Sequence, residues 1–318
     1  MTQSTGITWF GCGYSLSELM EYKGGRGISV VVPALDEQDT VGGVLASIRG
    51  LVGTLVDELI VVDSGSTDAT IARARAAGAT AVYTREQALP GVPPRPGKGE
   101  VLWRSLAVAT GDLVVYIDSD LRDPSPRFVP SLVAPLLLDD EVRLVKGCYR
   151  RPLGNDPSGD VDGGGRVTQL AARPLLAALV PELADVVQPL GGEYAATREL
   201  LSAIPFAPGY GVEIGILIDA WRRHGARAIG QVDLGVRVHR NRPTHELAVM
   251  SRQIVATLLD RLGIDDSGIG LTQYRPDGAS WRRHTTTVSL EDRPAMADLL
   301  AAPGDAAGYR SDCSMLTP

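Results

Sequence analysis

The sequence predicts an α/β fold built on a mostly parallel sheet flanked by helices, and three observations carry that reading. Short apolar runs alternate with segments of helical spacing from residue 28 to residue 117, the pattern of parallel strands joined by right-handed crossovers. Three of those runs, ending at Pro33, Asp63 and Ile117, lead into acid, hydroxyl or glycine residues, and open α/β sheets bind ligands at the carboxyl ends of their strands. The 318 residues are 44% hydrophobic, enough to bury a large core as one big domain or two small ones.

The elements follow in order. Leu16, Leu19 and Met20 suggest a short helix, capped by Ser15 or Ser17 and ended by Gly24-Gly25. Residues 28–33 read as a first strand stopped by Pro33, and 40–48 as a helix through Val41, Val44, Leu45 and Ile48. A second strand spans 58–63; a tight turn follows, and Thr67 or Asp68 caps a helix through Ala77. A third strand (79–83), a loop with Pro90, Pro93, Pro94 and Pro96, a helix (100–109) and a fourth strand (113–117) complete the regular half. Beyond it lie a strand at 142–149 and a glycine-rich stretch at 152–165, expected to be a mobile surface loop or a lid. A helix over 166–183, interrupted at Pro174, precedes one over 211–225. Residues 228–239 alternate as a half-buried strand should, 247–262 form a last helix, and the tail past Ala301 reads as disordered.

Composition excludes several functions. A net charge of −7 argues against nucleic acid as the main partner, but not against a phosphorylated small molecule, which needs only a local Arg/Lys cluster. Cys12, Cys148 and Cys313 are odd in number and far apart, so neither a disulfide framework nor a zinc site is expected, and a reducing cytoplasm is the natural compartment. The first 14 residues lack the basic start and apolar core of a signal peptide. No apolar run has the length of a membrane span; 129–138 is broken by Pro130 and Pro135.

Asp118-Ser119-Asp120 ends the fourth strand. Two carboxylates so close repel unless a cation lies between them, and hard oxygen ligands suit Mg²⁺ or Mn²⁺ bound with a ligand's phosphates. An Asp-rich turn is the competing reading. Asp36-Glu37 and Asp63-Ser64-Gly65-Ser66 each read equally as helix-end or turn chemistry, yet three neighbouring strand ends of one kind suit a ribose and a base. Lys98, in Gly97-Lys98-Gly99, is a candidate phosphate contact, although the spacing is not that of a phosphate-binding P-loop. Gly191-Gly192-Glu193 and the surroundings of Glu213 would let backbone approach a ligand closely. Arg237, His239 and Asn241 share one face of a strand end, and Arg166 and Thr168 open a helix where an anion could bind.

Together, Pro33-Ala34-Leu35-Asp36-Glu37, Asp63-Ser64-Gly65-Ser66-Thr67-Asp68, Gly97-Lys98-Gly99 and Asp118-Ser119-Asp120 resemble the nucleotide-binding half of GT-A glycosyltransferases, whose Asp-x-Asp is a metal signature. The second half, with Gly165-Arg166-Val167-Thr168, Leu190-Gly191-Gly192-Glu193-Tyr194, Tyr210-Gly211-Val212-Glu213 and Val238-His239-Arg240-Asn241-Arg242, resembles the glucosyl-3-phosphoglycerate synthases of actinobacteria. The resemblance covers roughly residues 15–290. It implies the Rossmann-like GT-A fold over 28–265, with a nucleotide half (28–150) and an acceptor half (151–265), behind a helical arm (1–27) and before a C-terminal extension (266–318). It implies Mg²⁺-dependent transfer of glucose, with retention, from UDP-glucose or GDP-glucose to the 2-hydroxyl of 3-phosphoglycerate, an early step of methylglucose lipopolysaccharide synthesis, by a homodimer. Pro33, Leu35 and Glu37 would hold uracil and ribose; Ser64 the base; Lys98 the phosphates; Asp118 and Ser119 would lie near the ribose. Asp120 and His239 would ligate Mg²⁺ or Mn²⁺. Glu213 and the Leu190-Gly191 backbone would grip glucose, and Gly165, Arg166, Thr168 and Asn241 would bind the phosphoglycerate.

Rival readings are a mannosyl-3-phosphoglycerate synthase, a transferase with a polyprenyl-phosphate acceptor, a nucleotidyltransferase, and a sugar-nucleotide-binding regulator without turnover. The first strand end lacks the glycine-rich signature a nucleotidyltransferase wants.

Overall fold

The computed structural model describes residues 6–11, 13–150, 165–237 and 243–301. The glycine-rich stretch and the tail therefore lie outside the described residues, apart from Gly165, as do His239 and Asn241. The chain begins with β1 (Thr8–Phe10) and α1 (Leu16–Lys23), the latter closed by a Ser15–Glu18 capping box as its sequence suggests. There follow β2 (Ile28–Ala34), α2 (Val41–Arg49), β3 (Glu58–Asp63), α3 (Thr70–Ala76), β4 (Ala81–Thr84), α4 (Arg85–Ala88), α5 (Lys98–Val108) and β5 (Leu113–Tyr116). Then come α6 (Phe128–Leu138), β6 (Leu144–Arg150), α7 (Arg173–Leu179), β7 (Tyr194–Thr197), α8 (Arg198–Ala203), α9 (Val212–His224), β8 (Ile229–Val236) and α10 (Thr244–Arg261). A hairpin of β9 (Leu271–Asp277) and β10 (Ser280–Thr286) and a short α11 (Met296–Ala301) end the described chain.

Eight strands form one sheet in the order β1-β8-β6-β7-β5-β2-β3-β4. All pairings are parallel except those of β7, which runs against both β5 and β6. The central runs of β2, β3 and β5 are apolar on successive residues because both faces are covered: Val31, Val62 and Val114 face one core cluster, Val30, Val61 and Val115 the other. Strand order reverses at β2, since β3 and β4 lie to one side of it and β5 to the other. That switch point opens a crevice at the carboxyl ends of β2 and β5.

Several expectations need correction. The first strand does not stop at Pro33; it continues to Ala34, with Pro33 opposite Val62. Pairing with β5 has already ended at Val31, so the proline's missing N–H breaks no ladder there. The helix after β3 starts at Thr70, later than a cap at Thr67 or Asp68 implies, although the Asp68 carboxylate does accept from the Thr70 N–H. Pro174 interrupts nothing. A π-helical turn, Thr168–Ala172, leads directly into α7, and the wider ladder accommodates a residue that cannot donate. β8 is half-buried only in its second half: Ile229 to Val232 are all buried between β1 and β6, and past them Leu234 is buried while Asp233 and Val236 are exposed. The strands β1 and β7 and the hairpin have no counterpart in the spacing analysis.

The C-terminal segment straps the proline-rich loop. Arg293 reaches Glu100 at 2.7 Å and the Pro93 carbonyl at 2.6 Å, and its guanidinium stacks on Trp103. The Trp103 indole donates to the Pro294 carbonyl, and Met296 is buried in the core. From inside α5, Arg104 donates to the Arg85, Leu89 and Val92 carbonyls. The loop leading into Lys98 is thus held from both sides.

Candidate active site

The loops after β2 and β3 are laced together. Asp63 is buried, and its carboxylate accepts from the Gly65 and Ser66 N–H groups at 2.8 Å each. Asp36 adopts a positive φ of 53°, strained for a residue with a side chain. Its N–H donates to the Ser66 hydroxyl at 2.9 Å and its carboxylate accepts from the Thr67 N–H at 2.8 Å. Asp36 is therefore a cross-brace, not merely a charge at a helix start. It sets Pro33, Leu35 and Glu37 beside Ser64 at the rim of the crevice.

The third wall is α5. Gly97 enters it with φ 106°, and a Cβ there would stand 3.0 Å from the Gly209 Cα, so the loop into α5 and the 3-10 turn Gly209–Gly211 touch backbone to backbone. That contact delivers Lys98 into the crevice. The cleft is lined by Pro33, Leu35, Glu37, Ser64, Lys98, Asp118, Ser119 and Asp120, with Tyr210 closing one side. Every nucleotide-side residue expected from sequence is there, and Ala34, Gly97, Val101 and Tyr210 are additions.

Charge organises the floor. Lys98 Nζ lies 2.5 Å from Asp118 and 2.7 Å from Glu213 at the start of α9. Burial alone would push Lys98 down, but those two carboxylates outweigh it and hold the ammonium well above its ordinary range. Arg237, just past β8, reaches Asp118 at 2.7 Å, and Asp120 and Glu193 at 3.0 Å each. It too is desolvated, and Glu193 leads the carboxylates that keep it charged. Arg237 thus separates acids that would otherwise repel. Sequence placed it only on a face with His239 and Asn241; its role between three acids appears once β5, β7 and β8 are in one sheet.

The two aspartates differ. Asp118 is gripped by Lys98 and Arg237 and its side chain is 18% exposed. The Asp120 side chain is 32% exposed, offers Oδ1 to Arg237, and among the described residues meets no partner at Oδ2. A part-exposed carboxylate that lines the cleft fits a divalent cation. His239, the other expected ligand, lies outside the described residues.

Glycines at 191–192 were expected to admit a ligand. At Gly192 the structure shows a different reason: a Cβ would stand 2.2 Å from the Asp118 carboxylate. Gly192→Ala should keep the fold but displace Asp118, costing about 1–3 kcal/mol of stability. A thermal melt checks this, and wild-type stability would refute it. Leu190, half-buried at the head of this turn, packs on the core. Gly165, Arg166 and Thr168 do not line the cleft; Thr168 is buried at the start of the π-helical turn, which packs on α10.

A family model described as glycosyl transferase family 2 matches residues 29–160. Over 295 residues the chain is 61% identical to a glucosyl-3-phosphoglycerate synthase of Mycolicibacterium smegmatis, covering 93% of this chain and 97% of the relative. A synthase of the same name from Petrotoga mobilis is 42% identical over 238 residues, 74% of this chain and 73% of the relative. The fold matches a crystal structure of glucosyl-3-phosphoglycerate synthase from Mycobacterium tuberculosis in complex with Mn²⁺, UDP and phosphoglyceric acid. The TM-score is 0.86 at 60% identity, covering 92% of this chain and 98% of that one. At 61% identity over 93% of its length, the chain belongs to the glucosyl-3-phosphoglycerate synthase family.

Proposed function

We propose that this chain transfers glucose from UDP-glucose to the 2-hydroxyl of 3-phosphoglycerate with retained configuration, giving glucosyl-3-phosphoglycerate. The observation that carries it is the cleft at the β2–β5 switch point, where eight residues expected to hold a nucleotide sugar and its metal converge. Crystal structures of the Mycobacterium tuberculosis synthase are complexes with UDP-glucose and Mn²⁺, with UDP and Mg²⁺, and with glucosyl-3-phosphoglycerate. UDP, not GDP, is therefore the donor nucleotide carried forward.

Pro33, Leu35, Glu37 and Ser64 hold the uridine, with Asp118 and Ser119 toward the ribose. Lys98 meets the diphosphate side and, through its pair with Glu213, ties that side to the sugar. Asp120 and His239 hold Mg²⁺, or Mn²⁺ in its place, which neutralises the departing diphosphate when bound. The C1–O bond to the diphosphate breaks, the acceptor oxygen bonds C1 from the same face, and the acceptor proton passes to the departing phosphate oxygen. Glu213 is buried and already paired with Lys98, so it accepts a glucose hydroxyl rather than attacking C1. Gly165, Arg166, Thr168 and Asn241 bind the phosphoglycerate, an anion suited to a guanidinium and a hydroxyl.

UDP release from UDP-glucose and Mg²⁺ should require 3-phosphoglycerate; release indifferent to the acceptor would sink the proposal. Glu213→Gln should slow turnover without any glucosylated protein in the intact mass spectrum. A glucosyl adduct in variant or wild type would overturn the same-face route. A homodimer is the assembly we favour, since the β9–β10 hairpin leaves Tyr274 and Trp281 60% and 68% exposed and an isolated two-stranded hairpin is only marginally stable in water. Among the described residues no helix is long and apolar enough to cross a membrane, and the cytoplasm is the compartment we infer.

A further inference from the structure

We propose that Lys146 is a positioning residue for the donor sugar: its buried ammonium holds the Gly191 carbonyl and so fixes the Leu190-Gly191-Gly192 turn. The inference rests on the reading that this turn grips glucose. Lys146 lies on β6 opposite Tyr194 of β7 and is 1% exposed. Lysine is almost never fully buried unless an acid pairs with it, yet among the described residues no carboxylate is in ion-pair contact with this one. Its ammonium instead donates to the Gly191 carbonyl at 2.7 Å and stands 4.6 Å from the centre of the Tyr194 ring. A desolvated charge that, among the described residues, hydrogen-bonds to a turn of the active site suggests a role beyond packing.

The turn is fixed at successive residues. Gly191 is held by Lys146, Gly192 abuts the Asp118 carboxylate, and Glu193 is paired with Arg237. The residue after Lys146 contributes as well, since the Gly147 N–H donates to the Glu193 carbonyl at 2.9 Å. Asp118 and Arg237 belong to the cleft's own charge network. Lys146 does not line the cleft, so it acts through the backbone it holds.

The groups facing the ammonium are Glu213 from α9, Lys98 from α5, Glu193 ahead of β7, Cys148 on its own strand and the Tyr194 ring from β7. Burial pushes Lys146 down to about 8, with Glu213 the strongest influence in the other direction. The group is therefore charged at neutral pH and loses its proton as pH rises through that value. A charge-assisted hydrogen bond is roughly twice as strong as a neutral one, so the hold on Gly191 weakens on the alkaline side.

The test compares Lys146→Met, of similar volume and without the charge, with the wild-type chain. Displacement of the sugar-gripping backbone should lower kcat at least about tenfold. UDP affinity should stay within about twofold while UDP-glucose affinity falls, because the uridine contacts lie elsewhere in the cleft. Thermal stability should hold or rise, as replacing a buried charge with an apolar side chain of similar volume often does. The wild-type kcat should decline above about pH 8 with the deprotonation of Lys146, and the Met variant should lack that limb. Lys146→Gln, which keeps an N–H donor, should recover part of kcat. A kcat unchanged in Lys146→Met overturns the inference. So do parallel losses of UDP affinity, stability and kcat, or an alkaline limb unchanged in the variant. If Lys146→Met does not fold, Lys146→Gln decides by the same readings, and should neither fold, a wild-type kcat level across that limb overturns the inference and a decline there supports it. A wild-type chain that transfers no glucose sinks the glycosyltransferase reading, and this inference with it; wild-type transfer with indifferent variants sinks this inference alone.

Discussion

Asp120→Ala should bring Mg²⁺-dependent release of UDP close to background. Asp120 is the more open of the two strand-end aspartates, with one oxygen on Arg237 and its side chain among those that line the cleft. A divalent cation at the leaving diphosphate supplies several kcal/mol of charge stabilisation, so losing its carboxylate ligand should cost on the order of a thousandfold in turnover. Stability should barely change, because the lost side chain is part-exposed and Arg237 keeps Asp118 and Glu193. A Mg²⁺ titration of UDP release, beside a thermal melt, checks both halves. Near-normal turnover at the Mg²⁺ concentration that suits the wild type would remove Asp120 from the metal site.

Arg237→Met should be the most destabilising single change in the cleft. It leaves Asp118, Asp120 and the fully buried Glu193 without the guanidinium that reaches all three. Breaking a buried ion pair from one side costs about 3–5 kcal/mol because the remaining charge is stranded. Protonating a stranded carboxylate relieves that cost. The sign follows: the variant's stability deficit should be largest at neutral and alkaline pH and should shrink as pH falls through the carboxylate range. Urea unfolding at about pH 8 and about pH 5 reads the difference. A deficit that is independent of pH, or smaller at high pH, would mean that Arg237 packs without compensating charge.

The fold's nucleotide half was legible because its cues are local. Apolar runs covered on both faces and helices of ordinary spacing placed β2, β3 and β5 to within a residue or so. Local chemistry marked the strand-end acids and Lys98, and the family resemblance added Pro33, Leu35, Ser64 and Ser119; Pro33, Leu35, Glu37, Ser64, Lys98, Asp118, Ser119 and Asp120 all meet in one cleft. What failed were elements whose stability comes from partners distant in sequence. The three residues of β1 are a strand only because β8 is beside them, and those of β7 only because β5 and β6 flank them. Pro174 and Pro33 misled for the same reason: whether a missing N–H matters depends on the ladder opposite.

Sequence by itself determined the α/β class, the strand ends that carry acids, and the residue types able to hold a nucleotide, since these depend on period and on chemistry that each segment carries alone. Only the tertiary structure decided that Arg237 lies among three carboxylates, that a side chain at Gly192 would collide with Asp118, and that Lys146 reaches a carbonyl 45 residues away. Each of these is a distance between segments brought together by β7 running antiparallel between β5 and β6, and a linear pattern holds no record of which strands become neighbours.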